Sequence, residues 1–349
     1  MSTARPGPGH IVAKINDIGK NGSLSFHQTD AMLQTRLTRL LGIRYPIIQG
    51  GMSWASSNAS LALAVSRAGG LGTIAAGPMY PHDLLAAIQA VRAGTDAPFA
   101  VNIPLYNKRA QEHMDIAVAE RVPVIIASQG GPQKHLARAR AAGIKWLQVA
   151  ASPVHAHKAQ AAGVDAVIAV GLEAGGHPGP DEIGTLVLAR AVARAIEIPF
   201  AVAGGIADGA GIAAALCLGA DGAQLGTRFL LTPESGLHAA YKQAVLAAGV
   251  ADTTLVGRGR SPVRMLRNAF AREYAAAERG GASDAELDAL FGGSTLKQSA
   301  KDGDVDGGKV EAGQSAGLID ALCPAGDVVA ELVRETRQAL ARGGELLAA

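Results

Sequence analysis

His177 is the residue in this sequence best placed to move a proton. It follows Gly175 and Gly176 and precedes Pro178 and Gly179. That context is a tight loop rather than the apolar face of a helix, where a histidine is by default a hydrogen-bonded core residue. An imidazole titrates near neutral pH and can take a proton from a substrate carbon or return one. On the residues alone, a structural loop histidine stands equal beside that reading. His113, His135, His155, His157 and His238 fall in helical or surface segments and are expected to be structural. Glu173, on the same loop as His177, is expected to serve neighbouring backbone amides as readily as a substrate.

The segments that share this glycine-rich character are Gln49-Gly50-Gly51-Met52, Asn102, Ser128-Gln129-Gly130-Gly131, the run from Gly171 to His177, Ala203-Gly204-Gly205 and Gln224-Leu225-Gly226-Thr227. They carry small polar groups, few charges and no metal-ligand spacing. Glycines let backbone N–H groups come close to an anion or a flat ring. Gly204-Gly205 and Gly226-Thr227 could hold a phosphate on main-chain amides, with the Thr227 hydroxyl as a further donor; the bland alternative is that they only make tight turns. No Walker A loop follows, and no G-x-G-x-x-G opens a helix, so a separate dinucleotide domain is not expected. Cys217 reads as a small core residue.

Each of these segments ends a short apolar run. The runs are Tyr45–Gly50, Leu71–Ala76, Phe99–Leu105, Val122–Ser128, Trp146–Ala150, Ala166–Gly171, Phe200–Gly205 and Gly222–Thr227. Continuous rather than alternating apolar runs suit parallel strands covered on both faces. Between them lie stretches with helical spacing: 58–68, 81–93, 109–121, 133–142, 153–162, 183–196 and 209–218. The alternation predicts an α/β fold, a (β/α)8 TIM barrel, with a doubly wound open sheet as the runner-up. Ligands of such a barrel sit where the strands end, which is where the glycine-rich segments fall.

After Thr227 the rhythm breaks. The stretch from Pro233 to about Leu290 reads as several helices, among them 237–248 and 284–290, forming a C-terminal helical subdomain over the barrel mouth. A polar Gly/Lys/Asp stretch follows, in which Gly303, Gly307 and Gly308 should make turns near the ligand. A last helix near 327–341, with Asp327 as N-cap, is expected to cover the barrel. The resulting division is a flexible extension at 1–36, the barrel at 37–231, the subdomain at 232–311 and a returning helix at 312–349.

Composition bounds the function. The 349 residues are 48% hydrophobic and 18% charged, enough apolar chain for a sizeable core. A net charge of +2 without an obvious basic face argues against nucleic acid. Two cysteines far apart predict no disulfide framework. No apolar run reaches bilayer length and the N-terminus lacks a signal-peptide stretch, so a soluble cytoplasmic protein is expected. Apolar positions on the subdomain would allow a homodimer, and the sequence leaves the assembly open.

Pro46-Ile47-Ile48-Gln49-Gly50-Gly51-Met52, Ala68-Gly69-Gly70-Leu71-Gly72, Asn102, the run Glu173 to Gly179, Ala203 to Gly209 and Gln224 to Phe229, taken in this order, resemble the nitronate monooxygenase family. That family, formerly called 2-nitropropane dioxygenase, includes FMN-dependent enoyl-ACP reductases and NADH:quinone reductases. The resemblance implies a barrel with non-covalent FMN at its mouth. Gly50, Gly51 and Met52 would line the flavin ring, with Asn102 at its polar edge. Gly175 and Gly176 would lie along the ribityl and phosphate side, Gly204, Gly205, Gly226 and Thr227 would hold the phosphate, and Gly171, Ala203 and Gln224 would also belong to the cofactor site. His177 matches the catalytic histidine. Gln148, also expected to bind the cofactor, and Val149 lie in the neighbourhood where quinone-reductase relatives carry a lysine after strand five. The subgroup signals divide, because Gly51-Met52-Ser53-Trp54 and the tail from Gly303 to Ile319 resemble the enoyl reductases while 176–183 resembles the quinone reductases. The reaction first expected is FMN-dependent oxidation of alkyl nitronates by O2. The alternative is NAD(P)H-dependent reduction of an enoyl thioester or a quinone. A barrel that binds a phosphate ligand without catalysis is the third possibility.

Overall fold

A computed structural model describes residues 33–348. The eight apolar runs form eight parallel strands: β1 (Ile47–Gln49), β2 (Gly72–Ala75), β3 (Phe99–Pro104), β4 (Val124–Ser128), β5 (Lys145–Ala150), β6 (Ala166–Val170), β7 (Phe200–Ala203) and β8 (Gly222–Leu225). Hydrogen-bonded neighbours run β1-β8-β7-β6-β5-β4-β3-β2. The sheet closes on itself through a parallel bridge between Ile48 and Leu71, where the Leu71 N–H donates to Ile47 O at 2.8 Å. Closure excludes the open doubly wound sheet, and the fold is a TIM barrel.

Side chains alternate between two apolar layers. Ile48, Ala100, Ile126, Leu147, Ile168 and Ala201 fill the barrel interior. Their strand neighbours Ile47, Val101, Ile125, Trp146, Val167 and Val202 pack outward against the helices. This two-residue period follows from the pleat of a strand. It decides which residues at the strand ends can look into the mouth. The opposite end is plugged by the helix Arg36–Leu41, whose Leu37 and Leu41 join the interior layer. Thr35 caps that helix, and Arg36 holds Asp221 through Nε and Nη2 at 2.8 and 2.7 Å. Most of the extension expected at 1–36 lies outside the described residues.

The seven helical stretches expected between the strands all form. The last helix covers the barrel as expected but spans Ala325–Ala348, so Asp327 lies in its first turn rather than at its cap. There the carboxylate meets the positive end of the helix dipole instead of capping an amide. This helix crosses Gly209–Cys217 so closely that a Cβ at Gly209 would stand 2.3 Å from the Thr336 nitrogen.

The subdomain departs from an all-helical reading. Helices Ala239–Ala247, Ala269–Arg279 and Asp284–Gly293 are joined by an antiparallel hairpin, β9 (Thr253–Val256) and β10 (Val263–Leu266). Each strand is four residues long, too short for its period to stand out among Ala-rich helices. Cys217 is exposed rather than buried, because it ends the last turn of Gly209–Cys217. Among the described residues no helix is long and apolar enough to cross a membrane.

Candidate active site

A cavity of about 500 Å³ opens at the C-terminal mouth of the barrel. That size falls in the ordinary range for small-molecule and cofactor sites. Its walls include Gly50, Gly51, Met52, Asn102, Gly175, Gly176, His177, Ala203, Gly204, Gly205, Gln224, Gly226 and Thr227. Segments distant in sequence, singled out for their glycines, therefore converge on one space.

Gln148 and Gly171 do not line it. On β5, Leu147 points inward and Trp146 outward, so Gln148 shares the outward side. Its amide donates to Ala127 O at 3.2 Å and Gly130 O at 3.0 Å, and its oxygen accepts from Trp146 Nε1 at 3.1 Å. Val149 takes the place in the wall. On β6, Val170 likewise faces the cavity. A Cβ at Gly171 would instead meet Thr185 Oγ1 at 2.1 Å.

Two features fit a phosphorylated flavin. Among the described residues, the N–H groups of Gly204, Gly205, Gly226 and Thr227 donate to no protein acceptor, although all four residues line the cavity. Thr227 is buried, Gly204 and Gly226 are half-buried and Gly205 is exposed, so amides left without a protein partner here are open to an external anion. The Thr227 hydroxyl accepts from the Gly313 N–H at 3.0 Å, which leaves its own proton to donate. In the same wall the Gln224 Oε1 is buried without a hydrogen bond. A ligand with both acceptors and a donor would satisfy these atoms. Gly51 has less latitude than the sequence suggested: a Cβ there would meet the Asn102 side chain at 2.4 Å. Asn102 is held in turn by its amide donating to Ile126 O at 3.0 Å.

His177 is exposed at the cavity edge on a loop pinned from both sides. Gly176, at φ +74, exchanges backbone hydrogen bonds with Arg264 of β10 at 3.0 and 2.7 Å. The buried Arg264 also donates from Nε to Leu172 O at 2.9 Å and from Nη1 to Thr253 Oγ1 at 3.0 Å. Glu173 accepts from Thr185 N and Oγ1, at 2.9 and 2.6 Å, and so caps the helix Thr185–Ala195. The structural reading of Glu173 prevails. So it does for His113, which is buried with Nε2 3.1 Å from Met79 O, and for His238, which caps Ala239–Ala247. On the cavity wall, Trp54 and Gln129 adopt positive φ of 67 and 52, conformations that cluster at ligand sites.

Three wall residues have no sequence signal near the glycine loops. Tyr106 stands on the loop after β3, Tyr241 on the subdomain helix, and Glu311 on the chain returning from it. Burial pushes the Glu311 carboxyl up from its ordinary value, while the charges of His177 and Lys309 pull it back. Burial likewise holds the Lys309 ammonium down, to about 8, against the pull of Glu311.

A second cavity, of about 530 Å³, adjoins the first. The two share Gln129, Val149, Val170 and His177 in their walls. Pro178, Pro180, Pro262, Ala151 and Ala159 make it largely apolar, with Lys158, His155 and Arg260 on its border.

A TIM barrel with an amide-lined cavity at its mouth and one histidine among the described residues of that wall has the architecture of a barrel enzyme. The chain matches the family model described as nitronate monooxygenase over residues 34–119 and 106–335. It is 35% identical over 341 residues to the (3aS,4S,5R,7aS)-5-hydroxy-7a-methyl-1-oxo-octahydro-1H-indene-4-carboxyl-CoA dehydrogenase of Mycobacterium tuberculosis, covering 86% of this chain and 95% of that one. It is 36% identical to a nitronate monooxygenase of Pseudomonas aeruginosa, covering 86% and 99% of the two chains. Among solved structures, FabK from Thermotoga maritima superposes with a TM-score of 0.85 at 41% identity, over 90% of this chain and 99% of that one. The chain belongs to the nitronate monooxygenase family, and it is an oxidoreductase.

Proposed function

We propose that the protein is an FMN-dependent oxidoreductase that reduces an enoyl thioester at the expense of NAD(P)H, with His177 handling the proton at the substrate carbon. The observation that carries the substrate class is the second cavity meeting the first at His177. An alkyl nitronate is a handful of heavy atoms and would occupy a small part of one cavity. An acyl thioester has a reactive head for the first and a long, partly apolar arm for the second. The relative named as a carboxyl-CoA dehydrogenase supports a thioester.

FMN, when bound, would supply the two-electron relay between NAD(P)H and the acceptor. The unpartnered amides of Gly204, Gly205, Gly226 and Thr227 would seat its phosphate. His177 would deliver a proton to the α carbon of the acceptor as the β carbon is reduced, near neutral pH. The loop held by Arg264 and Glu173 fixes where that imidazole stands.

Nitronate oxidation by O2 is the second reading, favoured by relatives that carry that name at 35% and 36% identity. Purified protein should be yellow, and NADH or NADPH should bleach it without oxygen. Crotonyl-CoA added anaerobically should then restore the oxidised spectrum. Bleaching by propyl-2-nitronate, followed by oxygen uptake, with no response to either nicotinamide or thioester, would replace the first reading by the second. A colourless protein that takes up no FMN sinks both.

A further inference from the structure

Glu311 is the one carboxylate in the wall of the main cavity among the described residues. It is fixed in place from its backbone: the fully buried Tyr241 donates its hydroxyl to Glu311 O at 2.8 Å. A Cβ on Gly176 would lie 3.2 Å from Glu311 Oε2, so the carboxyl rests against the residue before His177. Its two side-chain oxygens meet no hydrogen-bond donor among the described residues. The nearby cation does not take that part. Lys309 instead donates to Phe291 O at 2.8 Å and stands 3.2 Å over the Phe291 ring. Glu311 is only half-buried and its side-chain oxygens are not sealed from the cavity, so the carboxyl faces whatever binds there. A purely structural residue at this point would be expected to bond to its surroundings, as Glu173 does.

We propose that Glu311 is a specificity-determining residue that selects neutral acceptors over anions of the same size at the head of the substrate site. Ionised, it repels an anion lodged beside His177. Protonated, it offers a hydrogen bond to a carbonyl oxygen. A thioester satisfies both conditions, and a nitronate meets the repulsion whenever the carboxyl is charged. Charge at this distance in a partly enclosed site changes affinity by about tenfold or more. The inference rests on the main cavity being where the substrate head binds, and it extends that reading to the charge the head carries.

The test is calorimetric titration of the purified holoprotein with butyrate and with butyramide, an anion and a neutral molecule of nearly equal shape. In Glu311→Gln, butyrate should bind about tenfold or more tightly than in the parent, with butyramide changed less than about twofold. Glu311→Asp keeps the charge and should keep the parent's discrimination. Glu311→Met is a second neutral variant should the amide disturb folding, and it should behave as Gln does. Unchanged or weaker butyrate binding in the neutral variants overturns the proposal, as does a parallel shift of both ligands. Thioester turnover does not enter this readout. A failure to reduce crotonyl-CoA with the butyrate shift intact therefore removes the proposed reaction and leaves the role of Glu311 standing.

Discussion

Gly175 and Gly184 bracket the loop that carries His177, and alanine at the two positions should behave in opposite ways. A Cβ on Gly175 would stand 2.6 Å from both the Ala312 carbonyl carbon and the Gly313 nitrogen. These are backbone atoms, which cannot rotate aside. Ordinary contact begins near 3.4 Å, so the loop and the returning chain would have to part by about 0.8 Å. Overpacking of this kind costs about 1–3 kcal/mol of stability. Its larger effect is functional, because His177 lies two residues on and a displacement of about 1 Å at a reacting group can lower turnover by ~10²-fold. At Gly184 the nearest atom to a Cβ is Glu173 Oε1, at 3.8 Å, and the backbone has an ordinary φ of −63. Alanine there should lose less than about 1 kcal/mol and leave turnover within about threefold. The assay is anaerobic flavin reduction by NADPH or NADH and reoxidation by crotonyl-CoA, run beside thermal unfolding. If Gly175→Ala kept both its turnover and its melting temperature, the close crossing would not be what positions His177, and the account of the loop would fail.

Three other outcomes follow from the same geometry. Thr227→Val removes a donor from the amide-lined end and leaves the Gly313 N–H without its acceptor; FMN affinity, read by fluorescence quenching, should fall by about tenfold or more. His177→Ala should keep bound flavin and its spectrum but lose about 10²-fold or more in reoxidation by thioester; an unaffected rate would remove it from the chemistry. Burial raises the folded-state pKa of Glu311 above its ordinary value, against the pull of His177 and Lys309. Its contribution is fully present below the ordinary carboxylate range and is lost as pH rises through the raised value. Glu311→Gln lacks this loss, so the melting temperature of the variant relative to the parent should climb as pH rises above the ordinary carboxylate value. A difference that stays flat or narrows contradicts the burial argument.

Much of the barrel could be read from the chain because its strands are short and mainly apolar, and several lead into glycine-rich segments. Parallel strands covered on both faces need such runs, and nothing else in the sequence competes with them. The same property hid the parity of each strand. With Trp146 and Leu147 both apolar, nothing in the letters says which one faces inward. Gln148 and Gly171 therefore read like Val149 and Val170 until the sheet closed. The hairpin β9–β10 was hidden for a different reason: its four-residue strands hold no full helical or extended period against Ala-rich neighbours.

By itself, then, the sequence determined the eight alternating strand and helix runs, the glycine-rich segments and the loop histidine, since each depends on local residue types and their spacing. Closure of the barrel rests on the bridge between Ile48 and Leu71, which joins its first two strands. Tertiary structure alone decided that Arg264 and Ala312-Gly313 clamp the His177 loop and that Glu311 lies beside it. Those contacts join parts of the chain far apart in sequence. They exist only because the subdomain folds back over the mouth, a path that no local pattern encodes.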